Sequence, residues 1–110
     1  MSAPYRNSNV GLIAQLVIGK KAKLHAVHIE NSNGAKSYLQ IYDLATIAEA
    51  IVGTTTPVKT LYIPATGGYD FHWDSPVEFS SGIAIAATTG ADNAVAPAAG
   101  LLANVDYTRG

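Results

Sequence analysis

Turn-forming residues interrupt this sequence too often for long helices, and that punctuation limits the fold more than any other feature. Gly19-Lys20-Lys21, Asn31-Ser32-Asn33-Gly34, Gly53-Thr54-Thr55-Thr56-Pro57, Ala65-Thr66-Gly67-Gly68 and the small-residue stretch from Gly90 to Ala99 each read as a turn or loop. The runs between them are short and rich in β-branched or alternating residues: Val10 to Ile18, Ala22 to Glu30, Lys36 to Asp43, Val58 to Pro64, Gly82 to Thr89 and Gly100 to Tyr107. Tyr69 to Asp74 adds another, which resumes over Pro76 to Phe79 after a break at Ser75-Pro76. Leu44 to Val52 is the one stretch suited to a helical turn, and its β-branched residues make it a connection instead. About seven or eight strands spaced by turns predict an all-β protein, an antiparallel β-sandwich or jelly roll.

Periodicity assigns faces to these strands. In Ala22 to Glu30, strict alternation puts Lys23, His25, Val27 and Ile29 on one side and Leu24, Ala26 and His28 on the other. Asn33-Gly34 is a strong local hairpin signal, so Ala22 to Glu30 and Lys36 to Asp43 are expected to pair. Gly82 to Thr89, without polar alternation, reads as buried on both faces.

The chain of 110 residues suits one small domain, expected over residues 10–110, behind a polar and flexible N-terminal arm over residues 1–9. Its net charge of -1 and 14% charged residues argue against a nucleic-acid partner, because Lys20, Lys21 and Lys23 form the one basic run and suit a solvated turn. Without cysteine there are no disulfides, zinc-thiolate sites or thiol nucleophiles. No window holds an apolar leader or a span of about 20 apolar residues, so the expectation is a soluble protein made in the cytosol, with no membrane partner. Low charge beside 48% hydrophobic content, much of it alanine, points to self-association or a partner surface.

The segment YDFHWD carries the residues best suited to chemistry. If it is a strand, Tyr69, Phe71 and Trp73 face the core or a subunit interface, while Asp70, His72 and Asp74 form the wetter face. Imidazole and carboxylates are zinc and iron ligands, which makes Asp70, His72 and Asp74 the candidate metal set. Geometry opposes it: alternate strand residues stand about 6.5–7 Å apart, so the two outer aspartates cannot reach one ion without a bulge. His25 and His28, three apart on one strand, are expected to face opposite ways. There is no G-x-S-x-G elbow and no phosphate loop, and Glu30, Glu49 and Glu78 lie in separate elements. The expectation is a protein that is not an enzyme and holds no cofactor. Tyr38, Tyr42, Tyr62 and Trp73 are candidates for stacking on sugar rings or for packing across strands.

Taken in order, KLHAVHIENSNGAKSYLQIYD, LYIPATGGYDFHW, VEFSSGIAIAATTGADNAVAP and GLLANVDY resemble small structural proteins of tailed bacteriophages. The resemblance rests on Asn31, Tyr38, Tyr42, Asp43, Ile63, Pro64, Phe79, Ser80, Gly82, Ile83, Ala87, Thr88, Thr89 and Tyr107, and covers residues 22–107. It implies a β-sandwich virion protein on the capsid exterior, a head decoration or cement protein that binds the major capsid protein and reinforces the shell as a homotrimer or other homo-oligomer. A tail, neck or head-fibre position fits the same resemblance, and a carbohydrate-binding sandwich and a metal-dependent cupin-like enzyme are the readings from other classes.

Overall fold

The computed structural model describes residues 3–91 and 93–110. It contains eight strands: β1 (Ala3–Val10), β2 (Gln15–Ile18), β3 (Ala22–Asn31), β4 (Ser37–Tyr42), β5 (Lys59–Ile63), β6 (Gly67–Phe79), β7 (Ile83–Thr88) and β8 (Leu101–Arg109). They form two four-stranded antiparallel sheets, β1-β8-β3-β6 (sheet A) and β2-β7-β4-β5 (sheet B). The pairs β1·β8, β2·β7, β3·β6 and β4·β5 are those of one long hairpin folded over on itself, which is the jelly-roll arrangement. Among the described residues the only helical element is a 3-10 turn, Ile47–Glu49, within the stretch expected to connect strands.

Three expectations need correction. Residues 3–9 are not a flexible arm, because β1 pairs with β8 from Ala3 opposite Tyr107 to Val10 opposite Leu101; Met1 and Ser2 of that arm lie outside the described residues, as does Asp92 of the Gly90 to Ala99 loop. The Asn33-Gly34 hairpin does not form either, since β3 belongs to sheet A and β4 to sheet B. The asparagines instead use their side chains to turn the chain from one sheet to the other. Asn31 Nδ2 donates to the carbonyls of Ala35 and Pro64 at 3.1 and 3.2 Å, and its Oδ1 accepts from the backbone N–H and side-chain amide of Asn33 at 3.0 and 2.8 Å. Asn33 then grips Ala99 through both its N–H and its carbonyl, at 2.7 and 3.0 Å. The carbonyl of Asn33 also receives Thr66, a β-branched residue at φ 51°, a backbone conformation that needs such support.

The third correction concerns β3. Leu24 stands opposite Tyr107 of β8 and Ala26 opposite Asp106, leaving His25 as an extra, bulged residue. On the other side Leu24 faces Val77 and Ala26 faces His72, so Trp73 to Pro76 of β6 occupy the same gap. A bulge shifts the two-residue period. Ala22 and Leu24 point inward before it, Val27 and Ile29 after it, and the outward set becomes Lys23, then Ala26, His28 and Glu30.

Between the sheets lies the main core, in which Leu24, Val27, Ile29, Leu39, Ile41, Ile63, Phe79, Ile83, Ile85 and Leu101 are almost wholly shielded. Each such side chain contributes about 1.5–3 kcal/mol through burial. β7 is buried at every position, as its unbroken apolar run implies. The cause is a second small cluster on the outer face of sheet B, where Ala14, Tyr42, Ala84 and Ala86 pack beneath Leu44, Ala50 and Val52. Alanines in β7 leave the room that the connection occupies. Gln40 in this layer is paired: it donates to Thr88 and to the Ala91 carbonyl and accepts from Thr60. Asp43, just past β4, accepts from the N–H groups of Ser80, Ser81 and Gly82 and from the Ser80 hydroxyl, clamping the turn between β6 and β7.

Candidate functional site

Sheet A turns its outer face to solvent, and the register brings side chains from all four strands into rows. Arg6, Asn104, His28 and Asp70 occupy one row across β1, β8, β3 and β6, because directly opposed residues project to the same side. The next row holds Asp106, Ala26 and His72. Ala26 is the small residue among larger neighbours, and a depression of about 340 Å³ opens there, bordered by Tyr5, His28, Asp70, His72, Asn104 and Asp106.

His28 is the best-placed titratable group on this face. Its Nδ1 lies 2.7 Å from Asp70 Oδ1 and its Nε2 lies 3.1 Å from Glu30 Oε2. The bond to Glu30 and then that to Asp70 raise its pKa above 6.5, against a smaller opposing effect of desolvation. The imidazolium is therefore the form that satisfies both carboxylates. This arrangement holds a proton, and the partial exposure of all three groups limits what it adds to stability.

The proposed metal set divides. Asp70 turns to His28, while His72 Nδ1 is 3.9 Å from Asp74 Oδ1 with both side chains largely in solvent. Among the described residues no three His, Asp or Glu side chains are placed to hold one ion. His25 and His28 do not face opposite ways as the simple period required: the bulge keeps both outside, where His25 Nε2 bonds Thr108 Oγ1 at 2.8 Å. Sequence reasoning missed the Glu30–His28–Asp70 bracket because it depends on the β3–β6 register, although the His-x-Glu spacing on one strand was a usable sign.

The aromatic residues divide as well. Tyr69, Phe71 and Trp73 alternate with the exposed Asp70, His72 and Asp74 and pack against the main core, half-buried because β6 is an edge strand. Tyr42 is buried, and burial pushes its phenol up in pKa. Tyr38 and Tyr62 stand directly opposite each other on β4 and β5, edge to face with centroids 5.4 Å apart. The four aromatics considered for sugar stacking thus share no common platform.

A second surface is apolar. Leu12, Ile13, Ala14, Ile47, Ala50, Val52 and Ala94 line a depression of about 330 Å³. Ile13 is 77% exposed and Ile51 62% exposed, with Ile47 and Val95 close behind. The hydrophobic character of Val10 to Ile18 was the sequence sign of it. No family model, curated protein or solved structure matches the chain.

Proposed function

We propose that this chain is a virion structural protein of a tailed bacteriophage, a head decoration or cement protein that seats on the outer surface of the capsid and reinforces it as an oligomer. The observation that carries the reading is the apolar depression lined by the exposed Ile13 and Ile47 with Leu12, Ala50 and Val52. Exposed aliphatic side chains gathered at one depression mark a protein contact, and here they would meet the major capsid protein. The fold supports the reading by analogy, since double-sheet jelly rolls recur in viral capsid proteins as well as in lectins and cupins. The residues that carry the resemblance to phage structural proteins have structural work in this fold: Asn31 turns the corner, Asp43 clamps a turn, and Phe79 and Ile83 fill the core. The resemblance therefore speaks for a shared scaffold, and the apolar surface for what the scaffold does.

Weak contacts repeated over a shell gain strength through simultaneous engagement. The test is sedimentation of particles from the source, with mass spectrometry for this chain in each fraction. Comigration at a copy number near that of the main shell protein is the expected result, and a few copies per particle would place it in the neck, tail or a head fibre. Ile13→Asp with Ile47→Asp should release the folded protein from particles. Absence from every particle fraction would refute the reading.

A further inference from the structure

Every strand at the margin of a sheet has an unpaired row of backbone groups, and the margins of the two sheets differ in length. Sheet B ends on β2, four residues long with a register shift, and on β5, five residues set between Pro57 and Pro64. Short strands and flanking prolines are the usual means of blunting an edge. Sheet A ends on the longer strands β1, with eight residues, and β6, with thirteen, although β1 carries Pro4 and a register shift between Asn7 and Val10 and β6 carries Pro76 and the irregular stretch from Trp73. Neither has a second neighbour among the described residues.

The two long edges are complementary. Arg6 on β1 and Asp70 on β6 belong to the same row of sheet A, at its opposite margins. Arg6 makes no ion pair among the described residues. Asp70 is 82% exposed at its side chain although it also bonds His28, and Asp74 lies further along the same margin. When His28 is protonated, Glu30 and Asp70 still leave the bracket with one net negative charge. The strand directions agree as well. All neighbours in sheet A are antiparallel, so β6 runs opposite to β1, and a rotation about an axis along the strands sets β6 of one copy antiparallel to β1 of the next.

We propose that copies of this chain join head to tail through sheet A into a closed ring, β6 of one copy adding to β1 of the next with Asp70 against Arg6. Like-to-like pairing of these edges is disfavoured, because it would set Arg6 against Arg6 or the aspartates against each other. Pro4 supplies no N–H and the register of β1 shifts after Asn7, so the added ladder is short and centred on Arg6. The proposal deepens the oligomer in the function proposed above and does not depend on the capsid, so its test uses purified protein alone.

The absence of cysteine makes that test direct. Arg6→Cys and Asp70→Cys in one chain cannot bridge within a protomer, because three strand spacings, about 14 Å, separate the two positions and a disulfide needs Cα atoms within about 7 Å. Oxidation of the double variant should give a non-reducing ladder ending at one small oligomer, while each single variant stays monomeric. Without cysteines, Arg6→Glu should raise the concentration for half-association about tenfold or more in sedimentation equilibrium. Arg6→Glu with Asp70→Arg should restore it to within about threefold. Tryptophan emission from Trp73 checks that each variant is folded. No ladder, an endless ladder, single-cysteine dimers as abundant as the double variant's, or a charge swap that restores nothing would each overturn the proposal.

Discussion

Replacing Asn31 is expected to cost more than any other single polar change in this protein. Its side chain is almost fully buried and joins three segments: the β3–β4 turn at Asn33 and Ala35, the end of β5 at Pro64, and through Asn33 the segment before β8. Asn31→Ala removes two good donor bonds and two acceptor bonds. The Asn33 N–H is left unpaired in a buried place, whereas the Asn33 amide keeps Ala99 and the Pro64 carbonyl is close enough to the surface to find water. The orphaned donor costs about 1–3 kcal/mol and the other three lost bonds about 1 kcal/mol each, so the expected loss is about 4–6 kcal/mol. Asn31→Asp separates the two functions of the amide. It still accepts from Asn33, but it turns an oxygen toward carbonyls that were receiving a donor, which raises the native-state pKa of the introduced carboxyl. A group with a raised native pKa contributes stability below its unfolded value, about 3.9, and loses it as pH rises through the native value. The Asn31→Asp deficit should therefore shrink between pH 7 and pH 4.5 while the Asn31→Ala deficit stays constant. Urea unfolding followed by Trp73 emission measures both, provided m is unchanged. A loss below about 1 kcal/mol for Asn31→Ala, or a pH-independent Asn31→Asp, would refute this account of the corner.

Four further outcomes are expected. Ser37 Oγ is buried without a partner, so Ser37→Ala should leave stability unchanged or raise it by up to about 1 kcal/mol in the same unfolding assay, since a desolvated hydroxyl is removed. Gly82→Ala should cost about 2–3 kcal/mol or more, because its Cβ would stand 2.5 Å from the carbonyl oxygens of both Ile18 and Leu44; a midpoint equal to the parent protein would contradict that packing. Burial raises the Asp43 pKa, but bonds from the N–H groups of Ser81, Ser80 and Gly82 outweigh it and hold the carboxyl below 3.8. Asp43→Ala should thus cost about 1–2 kcal/mol at neutral pH, a difference that fades as pH falls through the native pKa of Asp43. His28, whose native pKa is raised by Glu30 and Asp70, should titrate above 6.5 by NMR. Its small contribution is present in acid and lost as pH rises through that midpoint, and Asp70→Asn together with Glu30→Gln should lower the midpoint.

The strands were legible because their signals are local. The alternation of Tyr69, Phe71 and Trp73 with Asp70, His72 and Asp74 fixed the faces of β6, and the unbroken run of Ile83 to Thr88 announced a strand covered on both sides. What failed depended on distant partners. Asn33-Gly34 carried a genuine turn signal, yet a turn residue says nothing of whether the next strand stays in the same sheet, and the side chains of Asn31 and Asn33 decide that here. The extra residue at His25 is invisible to any period count until Tyr107 and Asp106 are seen opposite Leu24 and Ala26. The first strand looked mobile because APYRNSN is polar, but an edge strand needs little apolar surface when β8 supplies the ladder. The candidate sites were harder still, since the rows of sheet A are a property of register.

The place of β8 has a consequence for how the chain is made. It is the last strand in sequence, yet it lies inside sheet A, between β1 and β3. A ribosome releasing this protein therefore delivers seven strands before the one that seals the sheet, and among the described strands the paired neighbours nearest in sequence are β4 and β5. Folding should begin at that pair, close outward in a single late step, and be slow for a chain of this size. Until then β1 and β3 are open ladders on the nascent chain, and crowded copies made from one message are at their greatest risk of pairing wrongly during that interval.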